Sequence, residues 1–299
     1  SNLPSVMEHC FGRWWGITMG TPSIDVSGWN TSNVTSFNGL FAGCSVKTLT
    51  GINTWNTSNV TNMFQCFNSM SNLNSLDISN WNFANVTNTG MMFSSSFTSL
   101  TLPASFQYVG NYGDALASLP SDRYWVHNDT LYSSEELIKN FPGAGTYSSD
   151  EVAVCGVDAY GLLYADGTLV LQKGDAVDSA YGPLITSSGV VLLTATNKLR
   201  DTLDGKKVHK VIVKDFIVGR TTFASFFEHF TNLTEIVDFY KLDARNVTSC
   251  KSMFGSFSTD YSCASLTSID LSKCNFNSCT TFETMFNSCA KLETVIMPS

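Results

Sequence analysis

The feature that most constrains this chain is a repeat of fixed period. Trp29, Trp55 and Trp81 stand 26 residues apart, as do Val34, Val60 and Val86, Thr35, Thr61 and Thr87, and Phe41, Phe67 and Phe93. The segments read DVSGWNTSNVTSFNGLFAGC, GINTWNTSNVTNMFQCFNSM and DISNWNFANVTNTGMMFSSS. Each is a short alternating stretch, an Asn/Ser/Thr turn and a Phe-bearing stretch. A fixed period of roughly 20–29 residues with one strand per repeat predicts a leucine-rich-repeat solenoid of α/β type. A parallel sheet would line its concave face, with short helices or irregular turns on the other. In LNSLDISNW, Leu73, Leu76 and Ile78 fit inward slots, while Ser75, Asp77 and Ser79 alternate outward as a strand requires. The Asn, Ser and Thr of the turn can hydrogen-bond the bending backbone, so their abundance is first of all architectural.

A second array follows near the C-terminal end. LDARNVTSCKSMFGSF at 242–257 and CNFNSCTTFETMFNSC at 274–289 are 32 residues apart, but CASL at 263–266 and CAKL at 289–292 are again 26 apart. About six residues around Phe257–Ser262 are therefore inserted, which predicts a loop that leaves the register alone.

Between the arrays the period is lost. Ser133–Asn140 reads as a short helix opened by Ser-Ser-Glu-Glu capping chemistry and closed by Pro142-Gly143. Asp166-Gly167 between two apolar runs signals a hairpin, and Ser188-Gly189 repeats the idea. The expected organisation is a first array over 1–103, a spacer over 104–150, a β-hairpin N-terminal cap over 151–220 and a second array over 221–299. A cap is needed because the end of a solenoid exposes apolar edges.

The nine cysteines invite disulfide, zinc or catalytic-thiol readings. The register argues against all three. Cys44 and Cys289 share a slot with Met70, Phe230 and Phe257; Cys66 shares one with Leu40 and Met92; Cys279 shares one with Val34 and Val60. Cys250 stands where Phe37 and Met63 stand, Cys274 where the tryptophans stand, and Cys263 matches Cys289. Such slots want a small hydrophobe, and a free thiol is one. Cys10 and Cys155 have no slot. The four histidines show no ligand spacing and no CxxC pair is present, so no metal and no cofactor is expected.

Composition narrows the partners. Only 14% of residues are charged and the net charge is -8, so the surface is largely neutral Asn, Ser, Thr and Gly. Residues 1–150 carry 4 Lys/Arg against 9 Asp/Glu and residues 151–299 carry 13 against 16, so neither half offers the basic stripe that nucleic acid requires. No apolar run approaches the roughly 18 residues of a membrane span. Ser1–Met7 is not a secretory signal, and with a repeat under way by Val26 the chain reads as an excised fragment whose targeting signal lies elsewhere.

Asn-x-Ser/Thr sequons at Asn30, Asn33, Asn56, Asn59, Asn85, Asn128, Asn232 and Asn246 fall mostly in the repeat turn, which explains them without glycans. Asp25, Asp77, Asp238 and Asp270 share one outward strand slot, broken by Gly51. With no G-x-S-x-G, H-E-x-x-H or Gly-rich phosphate loop, the chain is expected not to be an enzyme.

LDISNWNFANVTNTGMMFSSS, WNTSNVTNMFQCF, LDARNVTSCKSMF and FETMFNSC together resemble the repeat of the BspA-like leucine-rich-repeat surface proteins of bacteria. YGLLYADGTLVLQKGDAVDSAYG resembles the segment that opens such modules, and YWVHNDTLYSSEEL and AGTY resemble the spacers after them. The resemblance implies a cell-surface or secreted protein that adheres to extracellular or host molecules. The leading expectation is a monomeric recognition module that binds extracellular protein or glycan. Its candidate concave-face residues are Asp25, Ser27, Asn53, Asp77, Ser79, Asp238, Tyr240, Asp270 and Ser272. A structural stalk and a phage receptor-binding protein are the alternatives.

Overall fold

The computed structural model describes residues 3–11, 23–110, 118–185 and 189–299. The chain forms two compact units, Ser1–Asp150 and Glu151–Ser299.

In the first unit, β1 (Ser23–Asp25) pairs in parallel with β2 (Thr48–Thr50), and β3 (Ser75–Asp77) with β4 (Ser99–Leu102). The chain continues through β5 (Tyr124–His127), β6 (Thr130–Ser133), the helix α1 (Ser134–Lys139) and β7 (Gly145–Ser148). β7 docks antiparallel on β4, giving a mixed sheet ordered β3-β4-β7-β5-β6. α1 forms where capping chemistry predicts a helix: the Ser133 hydroxyl accepts from Glu136 N, and the Glu136 carboxylate accepts from Ser133 N at 2.7 Å.

The second unit holds β8 (Val152–Val154), β9 (Ala159–Leu163), β10 (Thr168–Lys173), β11 (Val190–Leu192), β12 (Lys210–Val213), β13 (Phe216–Val218), β14 (Glu235–Val237), β15 (Ser268–Asp270) and β16 (Thr294–Ile296). A mixed sheet runs β11-β9-β10-β12-β14, and β13-β8 and β15-β16 form parallel pairs. The Asp166-Gly167 turn joins β9 to β10, with Gly167 at φ 87° and Thr168 N donating to Asp166 Oδ1. Of the second expected turn, Ser188 lies outside the described residues.

This architecture overturns the expected leucine-rich-repeat solenoid. The strands divide among five small sheets, two of them mixed with antiparallel members, and no single parallel sheet lines a concave face among the described residues. Among the described residues the repeats carry only short 3-10 turns, and the α-helix α1 lies between the arrays. The backbone supplies the reason. In the Phe-bearing stretches a left-handed residue recurs, at Gly39, Gly43, Gln65, Ser69 and Met91 in the first unit and at Ser225, His229, Ser252, Thr284 and Ser288 in the second. A right-handed helix cannot pass through such points.

The backbone N–H groups turn instead to the next repeat. Phe37, Gly39 and Phe41 donate to the carbonyls of Asn62, Phe64 and Cys66 at 2.8–2.9 Å, and Cys250, Ser252 and Phe254 to those of Thr281, Glu283 and Met285 at 2.9–3.0 Å. The turns form a matching ladder: Thr61 N donates to Thr35 O and Thr87 N to Thr61 O. Sequon asparagines serve it, with Asn59 and Asn85 Nδ2 donating to the carbonyls of Ser32 and Ser58 at 2.7 Å.

Like residues therefore stack on like. Trp29, Trp55 and Trp81 lie at centroid spacings of 5.9 and 6.2 Å, Phe11, Phe41 and Phe67 at 5.2 and 5.8 Å, and Phe227, Phe254 and Phe286 at 5.5 Å each. Each buried ring stabilises by roughly 1.5–3 kcal/mol through its apolar area. In the second unit the core also takes in a cation. Arg220, 1% exposed, donates to the carbonyls of Thr194, Asn197 and Thr222 and lies 4.0 Å over the Phe226 ring.

All nine thiols are free. Six of the seven with slots are buried and Cys279 is half-buried, so the thiols do fill core positions. The insertion is a loop carrying a short turn at Thr259–Tyr261, but it corrects one slot. Phe257 is 81% exposed, and Cys263 N donates to Phe254 O at 2.7 Å just as Cys44 N donates to Phe41 O. Cys263, not Phe257, closes that turn.

Candidate functional site

The parallel stacking of strands is interrupted at one equivalent place in each unit. In the first, Gly51 adopts φ 80° and starts a 3-10 turn over Ile52–Thr54; in the second, Asp238 adopts φ 56° and starts one over Phe239–Lys241. A left-handed residue cannot continue a strand, so β2 ends at Thr50 and β14 at Val237, and the chain turns away beyond them. β2 and β3 belong to different sheets, as do β14 and β15.

Between β2 and β3 this opens a groove of about 870 Å³, lined by residues 47–53 and 71–77. Its walls are mostly neutral and polar, with Thr48, Thr50, Asn53, Asn72, Asn74 and Ser75 among them, and Lys47 and Asp77 carry its charges. Side chains bracket it: Asn72 Nδ2 donates to Ser45 O at 2.9 Å, and Asn53 Nδ2 to Asp77 Oδ2 at 3.1 Å. The Trp81 indole donates to Ile52 O at 2.8 Å and so pins the turn from below.

The counterpart between β14 and β15 is a smaller pocket of about 230 Å³, lined by Ile236, Asp238, Phe239, Tyr240, Asp270 and Lys273. Larger and charged side chains take up the room. Lys273 Nζ lies 4.3 Å above the Tyr240 ring, and Lys241 pairs with Asp238 at 3.3 Å. Cys274 occupies the Trp81 slot, and a thiol cannot reproduce the indole bond.

The candidate residues are thus placed differently from a uniform face. Asp25, Asp77 and Asp270 end their strands, and each carboxylate accepts from the N–H two residues on, at Ser27, Ser79 and Ser272, over 2.8–2.9 Å. These Asp-Ser pairs close local turns. The bonds from Ser27 and Ser272 hold the carboxyls of Asp25 and Asp270 below the ordinary aspartate value. Asn53 and Asp77 meet across the groove, and Asp238, Tyr240 and Asp270 share the smaller pocket. Asp25 and Ser27 line neither. The sequence reading passed over Thr48, Thr50, Asn72 and Lys273. Asn72 has a counterpart in Asn232, which makes the same bond to the preceding repeat, and Thr48 and Thr50 stand in register with Ser23 and Asp25, whereas Lys273 reaches Tyr240 only through a turn whose geometry its residue types do not announce.

Burial pushes the thiols of Cys155 and Cys289 up to about 11 and that of Cys274 up to about 12. Among the described residues no group of three or more His, Cys, Asp or Glu could hold a metal ion, and no helix is long and apolar enough to cross a membrane. What both places can do is exchange hydrogen bonds with hydroxyl or peptide groups, the first through neutral side chains and the second through charges and a ring.

No curated protein and no solved structure matches the chain. A family model does: residues 6–109 and 203–297, which together carry both arrays, match the one described as "Mycoplasma protein of unknown function, DUF285". With more than half of its length matched, the chain belongs to that family.

Proposed function

We propose that the chain is a non-enzymatic recognition module of a bacterial cell-surface or secreted protein, related to the BspA-like surface proteins. It binds extracellular protein or glycan at the interruptions of its strand stacks. One observation carries this reading: the same break recurs in both units, yet its lining changes from Thr, Asn and Ser to Asp, Tyr and Lys. A break needed only for folding has no reason to vary its exposed lining in this way. Neutral amide and hydroxyl rows suit ligands rich in hydroxyl or peptide groups, and a chain with only 14% charged residues offers them little competing charge. The module acts as a monomer, since each groove is built within one unit.

The test is an array of extracellular glycans and matrix proteins probed with the full chain and with Asn53→Arg, Asp77→Arg, Tyr240→Ala and Asp270→Lys. Loss of about tenfold in affinity, or 1.4 kcal/mol, is expected for the two variants of whichever unit holds the ligand. A saturable partner bound equally by all four removes both grooves. The absence of any saturable partner favours a stalk, a reading supported by how fully the turn ladder absorbs the polar residues.

A further inference from the structure

Cys250 and Cys279 meet across adjoining repeats with their sulfurs 3.5 Å apart. The chains that carry them are fixed by the rung-to-rung bonds, Cys250 N donating to Thr281 O and Thr280 N to Thr248 O, each at 2.9 Å. In the first unit the same pair of slots holds Phe37 with Val60 and Met63 with Val86, all buried. Here both members of one packing contact are cysteine together, which a demand for small hydrophobes does not require. Cys250 is fully buried, whereas Cys279 is half-buried and open to a small reagent.

We propose that Cys250 and Cys279 are an oxidisable pair that forms a disulfide linking the last two repeats, with a low-molecular-weight disulfide as oxidant. The Cys279 thiolate attacks one sulfur of the reagent, whose S–S bond breaks and releases one thiol. The Cys250 thiolate then attacks the Cys279 sulfur of the mixed disulfide and releases the second. The protein loses two electrons, the reagent becomes two thiols, and the two cysteine protons end on them. The sulfurs need only close from 3.5 Å to about 2.05 Å. Burial holds the Cys250 thiol well above its ordinary pKa, which makes it the resolving rather than the attacking group.

The experiment treats the reduced full chain with oxidised glutathione, unfolds it in alkylating agent and maps its tryptic peptides by mass. The expected result is a thiol titre lower by two and a link between the peptide ending at Lys251 and the one beginning at Cys274. That second peptide also contains Cys274 and Cys289, so variants locate the bond. The link should vanish in Cys279→Val and in Cys250→Met, which carry residues that the same slots hold in the first unit, and persist in Cys274→Val. Retention of all nine thiols, a stable glutathione adduct without an internal link, or a link that survives Cys279→Val would each overturn the proposal.

Discussion

The breaks at Gly51 and Asp238 perform one geometric task with opposite means. In the first unit the left-handed position is held by a glycine because nothing else fits: a Cβ there would lie 2.3 Å from Ser27 Cα. The turn beyond it is fixed by a buried indole beneath, and the groove above stays open. In the second unit an aspartate accepts the left-handed conformation, and the turn is held from the solvent side by Lys241 and Lys273. The difference teaches that supporting a turn from within the core leaves its outer surface available for a ligand, whereas supporting it from outside uses that surface.

Exchanging the two residues is the strongest way to break this comparison. Gly51→Asp places the second unit's residue in the first and drives its side chain into the Ser27 backbone, an expected loss of about 3 kcal/mol or more. Asp238→Gly removes a strained residue and a part-exposed ion pair to Lys241, and should change stability by less than about 1 kcal/mol. All six tryptophans lie within residues 1–150, so denaturant unfolding followed by their fluorescence reads the first unit, and hydrogen exchange reads the second. Equal effects of the two substitutions would mean that the glycine is not required.

A smaller effect tests the support from below. Trp81→Phe keeps the stacked ring but leaves the Ile52 carbonyl only its longer bond from Trp55 N at 3.4 Å, at an expected cost of about 1.5 kcal/mol. Cys274→Val in the equivalent slot strands nothing and should cost less than about 1 kcal/mol. Fluorescence from Trp55 and Trp29 still reports the first variant, and a cost as small as that of Cys274→Val would show that the indole bond does not hold the turn.

The same contrast explains which parts of the molecule were legible in the sequence. A period of 26 residues states how much chain lies in one rung, and from it the stacked tryptophans, the threonine ladder and most cysteine slots follow. It does not state the path within the rung. Gly39 and Gly43 announce positive φ, but Gln65, Ser69, Met91 and Thr284 adopt it without being residues that prefer it, so the turns they impose look in sequence like short helices. Nor does a six-residue excess show which of its ends rejoins the core, which is why Phe257 was assigned a slot that Cys263 fills. The candidate site suffered from the same gap: Asp77 and Asp270 are visible as a row, but the breaks beside them depend on backbone angles at Gly51 and Asp238.

The smallest effect concerns the turns that these two units share. Asp25 in the first and Asp270 in the second hold their carboxyls below the ordinary aspartate value because the serine two residues on donates to the charged form. A depressed carboxyl contributes stability that is complete above its unfolded pKa and is lost as pH falls through the folded one. The window therefore opens below about pH 4 and extends downward. Asp25→Asn and Asp270→Asn keep an acceptor for the serine N–H but cannot titrate. Near neutral pH each should be slightly less stable than the parent, and the gap should close in acid because the variant's stability falls less steeply. Denaturation curves collected across that range check both at once: tryptophan fluorescence should register only Asp25→Asn, and hydrogen exchange in the second unit only Asp270→Asn. An acid limb unchanged in both variants would show that the two turns are equally formed with the carboxyl protonated.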